Sequence, residues 1–427
     1  MEIYIVKEGD TVNAIAASYG VSPERLTYDN QISERNLVVG EALIICIPET
    51  TYTVSPGDTL ESIATAMNTT EKNILRHNPY LVFEEFLRAG ETIIISCEGE
   101  PFLSADINGY AYPFIAKDTL HETLLYLTSL YIFSYGFTPE GGLIPIDDEE
   151  LIAAAKAFYV DPILVLTPLN ASGVFSNELI HQLLTNDDAQ TRIIEELIDT
   201  MQTKGYTGID VDFEYILAED RERYVHFIER LTPALNDAGF QVTVALAPKI
   251  SDDQSGILYE GIDYAGLGNA ANKVLLMTYE WGYTYGPPMA VAPIPNVIQV
   301  LDYAVTRIDP AKINMGIPNY GYDWPLPFIK GETKATSIGN AQAVTIAWEN
   351  SAEISYDSSA QSPFFYYTDL DSPERDAAHV VWFEDVRSFL AKYELVNQYG
   401  FNGIGYWQLM RLFRANWLLV LSYFNIN

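Results

Sequence analysis

The sequence predicts an α/β protein in which two small repeated modules precede a (β/α)8 barrel with a small β insertion. Three observations lead to this fold class. The first hundred residues repeat themselves at an offset of 48 residues, eight short apolar segments follow, and amphipathic stretches separate several of these segments. Internal repeats indicate small separate units. Apolar strands that alternate with helices indicate a parallel sheet covered by helices.

The N-terminal repeat pairs residues 4–30 with residues 52–78, and "VGEALIICIP" then pairs with "AGETIIISCE" after a two-residue insertion. Each repeat predicts a strand, two helices and a closing strand. Asp10 and Asp58 stand where a helix N-cap belongs, so we expect them to cap the first helix of each module. Ser22 followed by Pro23 predicts the start of the second helix in the first module.

Both repeats resemble the LysM module, through the Tyr-x-Val-x-x-Gly-Asp-Thr opening, the Asn that ends the second helix and the closing strand. The resemblance implies two glycan-binding modules, at residues 1–49 and 50–99, whose ligands contain N-acetylglucosamine. It places the groove at residues 9–12 and 28–31 of the first module. The corresponding positions of the second module are residues 57–60 and 78–81.

The remainder, residues 100–427, carries the eight apolar segments: "NGYAYPFI", "LTSLYIFSYG", "DPILVLTPL", "YTGIDVDFEY", "FQVTVALAP", "NKVLLMTYEWG", "INMGIPNYGY" and "NGIGYWQLM". Eight strands in about 320 residues predict a (β/α)8 barrel. A helix after the fourth segment is indicated by helical spacing of Tyr224, Phe227, Ile228, Leu231 and Leu235. An open doubly wound sheet is the alternative, but no glycine-rich phosphate fingerprint follows the first strand.

The gap between the seventh and eighth segments is about 90 residues, whereas strands four to seven start every 30 to 40 residues. The excess, at about residues 323–383, predicts a small β insertion on the face where the barrel strands end. Two pieces of it, "AVTIAWEN" and "SPFFYYTDL", are rich in residues that favour strands.

Composition excludes several classes of function. The net charge of −34 disfavours binding to nucleic acid and to anionic membranes. No apolar run reaches ~18 residues, and the N-terminus has no signal-peptide pattern, so we expect synthesis in the cytosol and no membrane span. The five His form no metal-ligand spacing, and we expect neither metal nor cofactor. Cys46 and Cys97 are expected to be buried free thiols rather than a bridge.

The stretch "GIDVDFEYI" carries Asp210, Asp212 and Glu214 at every second position. Side chains alternate across a strand, so on the fourth barrel strand all three acids point inward. Buried carboxylates are costly unless they are paired or hydrogen-bonded. Like charges in contact cannot all ionise, so at least one acid keeps its proton near neutral pH. The outermost acid, Glu214, is best placed to deliver a proton as a general acid.

This stretch resembles the Asp-Gly-x-Asp-x-Asp-x-Glu signature of family 18 glycoside hydrolases, except that Thr207 stands at the first position. Other segments resemble the same family, and the resemblance implies that they bind substrate. These residues are Met277 and Glu280 of "LLMTYEWG", Tyr320 and Tyr322 of "IPNYGYDW", Trp407 of "GIGYWQL", and Tyr110 and Tyr112 of "GYAYPFI".

The resemblance implies substrate-assisted retaining hydrolysis, an exception to the usual two-carboxylate scheme. Glu214 would donate the proton and later act as base. Asp212 would orient the substrate's acetamido group, and Asp210 would balance the charge of Asp212. Tyr279 would hydrogen-bond the acetamido oxygen.

Two LysM-like units joined to a family-18-like barrel resemble the spore-cortex hydrolases of endospore-forming bacteria. The resemblance implies a peptidoglycan hydrolase that cleaves after N-acetylglucosamine. It also implies synthesis in the mother cell and deposition in the spore coat, cortex or cell wall. The alternatives are a chitinase or chito-oligosaccharide hydrolase, and an inactive glycan-binding coat protein. We expect a monomer.

Overall fold

The architecture is taken from a computed structural model that describes residues 1–32, 35–169, 173–369 and 377–427. Among these residues no helix combines the length and the apolar character needed to cross a membrane. The described part contains two small two-stranded units, a closed barrel and a separate antiparallel sheet.

The two N-terminal modules share one order of elements. The first consists of β1 (Glu2–Ile5), α1 (Val12–Tyr19), α2 (Pro23–Asp29) and β2 (Ala42–Ile45). The second consists of β3 (Pro48–Thr53), α3 (Leu60–Ala66), α4 (Glu71–His77), a 3-10 turn (Pro79–Phe83) and β4 (Thr92–Cys97). In each module the two strands pair antiparallel. The predicted strand–helix–helix–strand order is therefore confirmed.

The predicted caps at Asp10 and Asp58 are wrong by one residue. The Thr11 hydroxyl accepts from the Ala14 amide at 3.2 Å, and Thr59 caps α3 in the same way. Asp10 instead accepts from the Lys7 amide at 2.7 Å and from the Tyr4 hydroxyl at 2.8 Å, which closes the turn before the helix. An Asp directly before a Thr leaves both residues as candidates for the cap.

The prediction of free thiols is also wrong, because Cys46 and Cys97 form a disulfide. Their Cα atoms lie 5.8 Å apart, which suits a bridge. Cys46 directly follows β2, Cys97 is the last residue of β4, and both are buried beside Ile94. The two strand ends meet only in the tertiary fold, so the spacing of the cysteines along the chain does not reveal the pairing.

All eight predicted barrel strands are present: β5 (Leu103–Ala111), β6 (Ser129–Phe137), β8 (Asp161–Leu166), β9 (Gly208–Val211), β10 (Gln241–Leu246), β11 (Lys273–Leu276), β12 (Ile313–Pro318) and β18 (Gly403–Trp407). They pair in parallel in this order, and β18 pairs with β5, which closes the barrel. The predicted (β/α)8 fold is confirmed. A short β7 (Leu143–Ile144) and β19 (Phe424–Ile426) extend the sheet.

Helices cover the outside of the barrel. They are α5 (Lys117–Leu124), α6 (Glu149–Ala157), α7 (Asn177–Leu184), α8 (Asp187–Lys204), α9 (Arg221–Asp237), α10 (Tyr264–Ala270), α11 (Ile294–Ala304), α13 (Val386–Tyr399) and α14 (Arg414–Tyr423), with 3-10 turns at Ala218–Asp220 and Pro310–Lys312. The predicted apolar face of α9 is fully buried. Phe213 packs on this face, with ring centroids 5.7 Å from Tyr224 and 6.3 Å from Phe227.

The insertion lies between β12 and α13 and begins where β12 leaves the barrel. It contains β13 (Gly321–Pro325), β14 (Thr336–Ile338), α12 (Asn340–Glu349), β15 (Ser355–Asp357), β16 (Ser362–Asp369) and β17 (Ala377–Trp382). Its strands form one antiparallel sheet in the order β14-β13-β17-β16-β15. Residues 362–369 of "SPFFYYTDL" form β16, as the composition predicts, and the last residue of that segment lies outside the described residues.

The prediction that "AVTIAWEN" forms a strand is wrong, because this segment lies in α12 and its end. Ala343, Val344 and Ala347 occupy one side of the helix and pack against Phe365 and Val381 of the sheet. A sheet of this size needs a cover for its apolar face, and that packing outweighs the β propensity of the segment.

Both modules pack directly on the barrel. The Gln31 side chain donates to the Leu412 carbonyl at 3.3 Å and accepts from the Arg414 amide at 3.0 Å. In the second module, the Arg76 guanidinium donates to the Leu125 carbonyl at 2.8 Å. The modules also contact each other, because Arg25 donates to the His77 carbonyl at 2.6 Å. Modules and barrel therefore form one continuously packed structure.

Two glycines at matching repeat positions test this docking. Gly40 and Gly90 have φ angles of +84° and +89°, but a Cβ on Gly40 would lie 1.9 Å from the Ile354 carbonyl oxygen, whereas a Cβ on Gly90 meets nothing within 4 Å. We expect Gly90→Ala to cost roughly 1–2 kcal/mol through backbone strain alone. Gly40→Ala should cost about 1–3 kcal/mol more, because it also forces the module off the insertion. Urea unfolding of the two variants measures the difference, and equal losses would contradict the docked arrangement.

Candidate active site

A cleft of about 630 Å³ opens at the C-terminal ends of the barrel strands. In (β/α)8 proteins this end carries the functional groups. The cleft is lined by Tyr110, Tyr112, Phe133, Phe175, Asp212, Glu214, Tyr215, Ala245, Ala247, Pro248, Leu258, Tyr259, Leu275, Met277, Tyr279, Glu280, Tyr283 and Trp407. Most of the residues selected from the sequence are thus brought together. Asp210, Tyr320 and Tyr322 lie behind the lining rather than in it.

Asp210, Asp212 and Glu214, here called the acid row, follow the direction of β9 into this cleft. Asp210 lies within the strand, and Asp212 and Glu214 follow its last residue, Val211. Asp210 is completely buried and Asp212 is 6% exposed. Ile209, Val211 and Phe213, which alternate with the acids, belong to the apolar core outside the barrel. The period-two arrangement predicted from the sequence therefore continues past the end of the strand.

Burial sets the protonation of the two deeper acids. It raises the pKa of Asp210 to about 7, although a hydrogen bond from the Tyr110 hydroxyl, at 2.8 Å, acts in the opposite direction. The pKa of Asp212 is raised well above its usual range by burial and by the charges of Glu214 and Asp210. One Oδ1 atom of each acid is buried without a hydrogen-bond partner among the described residues. The pair therefore holds at least one proton near neutral pH.

Glu214 is the acid that faces the cleft, and its pKa is raised by burial and then by the charge of Glu280. A raised pKa keeps the carboxyl protonated at a pH where an exposed Glu has lost its proton. The sequence pattern attributes this effect to the acid row. The structure adds the charge of Glu280, which follows β11, while Glu214 in turn raises the pKa of Asp212.

Glu280 is held in place by two tyrosines. Its carboxylate accepts a short hydrogen bond from the Tyr320 hydroxyl and another from the Tyr322 hydroxyl, at 3.1 Å. Its backbone has a φ of +67°, which is uncommon outside glycine and shows that the surroundings fix the residue. Burial raises the pKa of Glu280, and the two tyrosine bonds oppose that rise. Tyr320 and Tyr322 thus act on the cleft through Glu280.

Tyr279 enters the cleft from the end of β11, beside Met277. Burial and the charges of Asp212 and Glu214 raise the pKa of its hydroxyl, which keeps its proton and remains a donor. Gly316 on β12 makes room for the ring, because a Cβ there would lie 2.7 Å from Tyr279 Cε1.

Aromatic side chains form the opposite wall. Trp407 at the end of β18 contacts Phe133, Tyr110 and Tyr112 edge-on, with ring centroids 5.0, 5.6 and 6.1 Å away. The indole itself lines the cleft. A flat aromatic face suits a ligand that is partly apolar.

The sequence interpretation missed several lining residues, among them Phe133, Phe175, Tyr215, Tyr259 and Tyr283. Phe133 lies in the predicted second strand, in phase with Tyr131, and this alternation could have found it. The other four follow strand ends in segments without periodicity, so no local pattern marks them.

Thr207, which departs from the family signature, lies away from this chemistry. It precedes β9, and its hydroxyl donates to the Pro162 carbonyl at 3.2 Å. It borders a polar cavity together with Asp106 and Lys273, at the opposite end of the barrel strands. In the described part of the chain, no group of three or more His, Cys, Asp or Glu is arranged to hold a metal ion.

Comparison with known proteins assigns the fold to a family. The profile described as glycosyl hydrolases family 18 matches residues 173–411, which is more than half of the chain. The chain belongs to this family. The family 18 barrel is preceded by matches to the LysM domain at residues 4–45 and 52–96, so both resemblances noted in the sequence are confirmed.

Two relatives match the chain from end to end. The cortical fragment-lytic enzyme of Bacillus subtilis is 38% identical over 435 residues, covering 100% of this chain and 99% of that protein. The crystal structure of the Bacillus cereus spore cortex-lytic enzyme SleL matches with a TM-score of 0.83 at 33% identity, over 100% of this chain and 98% of that one.

The crystal structure of a chitinase from Chromobacterium violaceum matches part of the chain, with a TM-score of 0.68 at 27% identity. The match covers 75% of this chain and 98% of that one. The chain is therefore a glycoside hydrolase of family 18, as the sequence predicts.

Replacing Glu280 by Gln tests its action on Glu214 in this family 18 site. A general acid works only while protonated, so activity is lost as the pH rises through its pKa. Removing the neighbouring charge lowers the pKa of Glu214, and the basic limb of the kcat/KM profile should move to lower pH by roughly one unit. Glu332→Gln removes the same charge at an exposed site and should leave the limb in place. An unmoved limb in Glu280→Gln would show that Glu280 does not act on the acid.

Proposed function

We propose that the chain hydrolyses spore-cortex peptidoglycan, cleaving after N-acetylglucosamine by substrate-assisted retention. One observation carries the proposal. A chain that matches cortical fragment-lytic enzymes over its full length also places Glu214 and Asp212 side by side in an aromatic-walled cleft. The proposal assigns the binding of insoluble glycan to the two N-terminal modules and the cleavage to the barrel.

The first chemical step transfers a proton and breaks the glycosidic bond. Glu214 donates its proton to the glycosidic oxygen, which leaves with the bonding electrons. The carbonyl oxygen of the substrate's own 2-acetamido group attacks C1 and forms a cyclic oxazolinium ion. The mechanism therefore needs no second carboxylate as nucleophile, and it requires an N-acetyl group on the sugar that is cleaved.

Asp212 and Tyr279 act on the acetamido group. Asp212 accepts a hydrogen bond from the acetamido N–H and balances the positive charge that develops on the ring. The Tyr279 hydroxyl donates to the carbonyl oxygen and holds it below C1. Of the two buried acids, Asp210 and Asp212, Asp210 holds the proton that the pair retains. The hydrogen bond from the Tyr110 hydroxyl fixes the orientation of the Asp210 carboxyl group.

The second step restores the enzyme. Glu214, now ionised, takes a proton from water, and the hydroxide oxygen attacks C1 and opens the oxazolinium ring. The product keeps its anomeric configuration, because both attacks occur at C1 from opposite faces in turn. Trp407 stacks on the face of the bound sugar, and Met277, Tyr112 and Glu280 border it.

The proposed function divides the chain into binding and catalytic parts. Residues 1–49 and 50–99 are the glycan-binding modules, and residues 100–427 form the catalytic unit. Peptidoglycan is often acidic and the chain carries a net charge of −34, so retention depends on stacking and hydrogen bonds rather than on charge. We place the protein in the spore cortex, coat or cell wall, and we expect it to act as a monomer.

A chitinase or chito-oligosaccharide hydrolase is the second candidate, favoured by the similarity of the barrel to the Chromobacterium chitinase. Both substrates carry N-acetylglucosamine, so the site chemistry does not separate them. The two candidates are separated by incubating the protein with cortex fragments and with chitin oligomers and identifying the products by mass spectrometry. Faster cleavage of chitin, or products ending in muramic acid, would refute cortex cleavage after N-acetylglucosamine. An inactive coat protein fits poorly with the buried acid row.

Glu214→Gln tests the mechanism. An amide cannot donate the proton, and we expect kcat on cortex fragments to fall by roughly 10²–10⁴. Glu222→Gln makes the same substitution at an exposed position on α9 and should keep full activity. A Glu214→Gln protein that digests cortex at the parent rate would contradict the assignment of Glu214 as the general acid.

A further inference from the structure

The segment that follows Trp407 is fixed by neighbouring parts of the protein. β18 ends at Trp407, and residues 408–411, here called the tryptophan turn, form a turn before α14. The Leu409 amide donates to the carbonyl of Tyr110 in β5 at 2.9 Å. The turn also contacts Asn319, the residue that follows β12. The position of the Trp407 indole in the active cleft therefore depends on what holds this turn.

Asn319 makes three hydrogen bonds to this part of the chain. Its backbone amide donates to the Trp407 carbonyl at 2.8 Å, just beyond the pairing of Pro318 with Trp407 that ends the β12–β18 ladder. Its side-chain amide donates to the Gln408 carbonyl at 3.1 Å and to the Arg411 carbonyl at 2.9 Å. A carboxamide has two N–H donors, so one side chain binds both ends of the tryptophan turn.

The tryptophan turn is also tied to the insertion. The side chain of Asn340, the first residue of α12, donates to the Asn319 side-chain oxygen at 3.4 Å and accepts from the Glu384 amide at 3.0 Å. The Arg411 guanidinium donates to the side chain and to the carbonyl of Ser337 in β14, at 2.9 and 3.0 Å. The insertion therefore supports the turn at two points, once through Asn319 and once directly.

Burial makes the side chain of Asn319 difficult to replace. Asn319 and Asn340 are each 2% exposed. Removing the Asn319 carboxamide takes its donors away from the Gln408 and Arg411 carbonyls at a site where little water can substitute for them. Hydrogen bonds are directional, so those of the tryptophan turn fix the backbone from which the Trp407 indole projects, whereas the ring contacts of the indole only pack against it.

We propose that Asn319 is a positioning residue of the active site, which holds the tryptophan turn and thereby the Trp407 indole in place for stacking on the bound sugar. The inference rests on the proposed function, because that function assigns the stacking role to Trp407. Stacking stabilises the bound sugar in the ground state and in the transition state alike, so its loss raises KM and leaves kcat nearly unchanged. The insertion then has a role as well: it supports the wall of the cleft that carries Trp407.

The test compares two buried asparagines near the two ends of β12 in the full-length protein. Asn319→Ala removes the carboxamide beside the active cleft, and Asn314→Ala removes one at the opposite end, where Asn314 accepts from the Asn402 side chain at 2.7 Å. Each variant loses a buried hydrogen bond, so both should melt a few degrees lower than wild type. Only Asn319→Ala should raise KM on soluble cortex fragments, by roughly three- to tenfold, with kcat within about twofold of wild type.

A double-mutant cycle shows whether Asn319 acts through Trp407. In a Trp407→Ala background, Asn319→Ala should cause no further loss of kcat/KM, because the indole that it positions is absent. Additive losses in the cycle, an unchanged KM in Asn319→Ala, or an equal rise of KM in Asn314→Ala overturns the proposal.

Arg411→Met tests the contribution of the insertion with little risk to folding, since this side chain is partly exposed. The variant loses the two hydrogen bonds to Ser337, and KM should rise about twofold with kcat retained. A wild-type KM in Arg411→Met overturns the role of the insertion. Failure of the proposed function is seen separately, as wild-type protein that leaves cortex fragments intact.

Discussion

The burial of two neighbouring carboxyl groups, Asp210 and Asp212, is the constraint on which the rest of the site depends. A buried pair of like charges is too costly to keep, so the pair retains a proton, and the barrel must supply partners for whatever charge is left. Tyr110 supplies one such partner from the first strand. Closure of the barrel is what brings this tyrosine to the acid, since β5 pairs with β18 on one side and with β6 on the other. Fold and protonation are therefore linked: an open sheet would hydrate the acids and remove the reason for their shared proton.

The sequence predicts what depends on local periodicity and fails where distant segments meet. Eight strands and the inward direction of the acid row follow from alternation, which burial on a barrel strand enforces residue by residue. The partners of Glu280 lie 40 and 42 residues further along the chain, so the pattern that identifies Glu280 gives no sign of what holds it. The same limit explains the disulfide between Cys46 and Cys97. The strand predicted at "AVTIAWEN" is wrong for another reason. The segment lies in the helix at residues 340–349, because packing against the sheet that this helix covers outweighs its β-favouring composition.

Glu214 links the acid row to Glu280. Burial is the main cause of the raised pKa of Asp212 and of Glu214; the charges of Glu214 and Asp210 add to it at Asp212, and the charge of Glu280 adds to it at Glu214. The proton on the acid therefore depends on neighbours on both sides. The two tyrosines matter in this respect because they favour the ionised form of Glu280 against its burial.

The junction between modules and barrel determines how glycan binding can assist cleavage. A flexible linker raises the local concentration of a second site whatever the geometry of the polymer, whereas a rigid junction helps only if the polymer fits both sites at once. Here only residues 98–102 separate β4 from β5, and the Phe102 amide is bonded to the Tyr423 carbonyl at 2.9 Å. Arg25, Gln31 and Arg76 add further fixed contacts. Under the proposed function, the modules present glycan to the barrel at a set distance and direction, and the conformation of the polymer, not its composition alone, contributes to substrate selection.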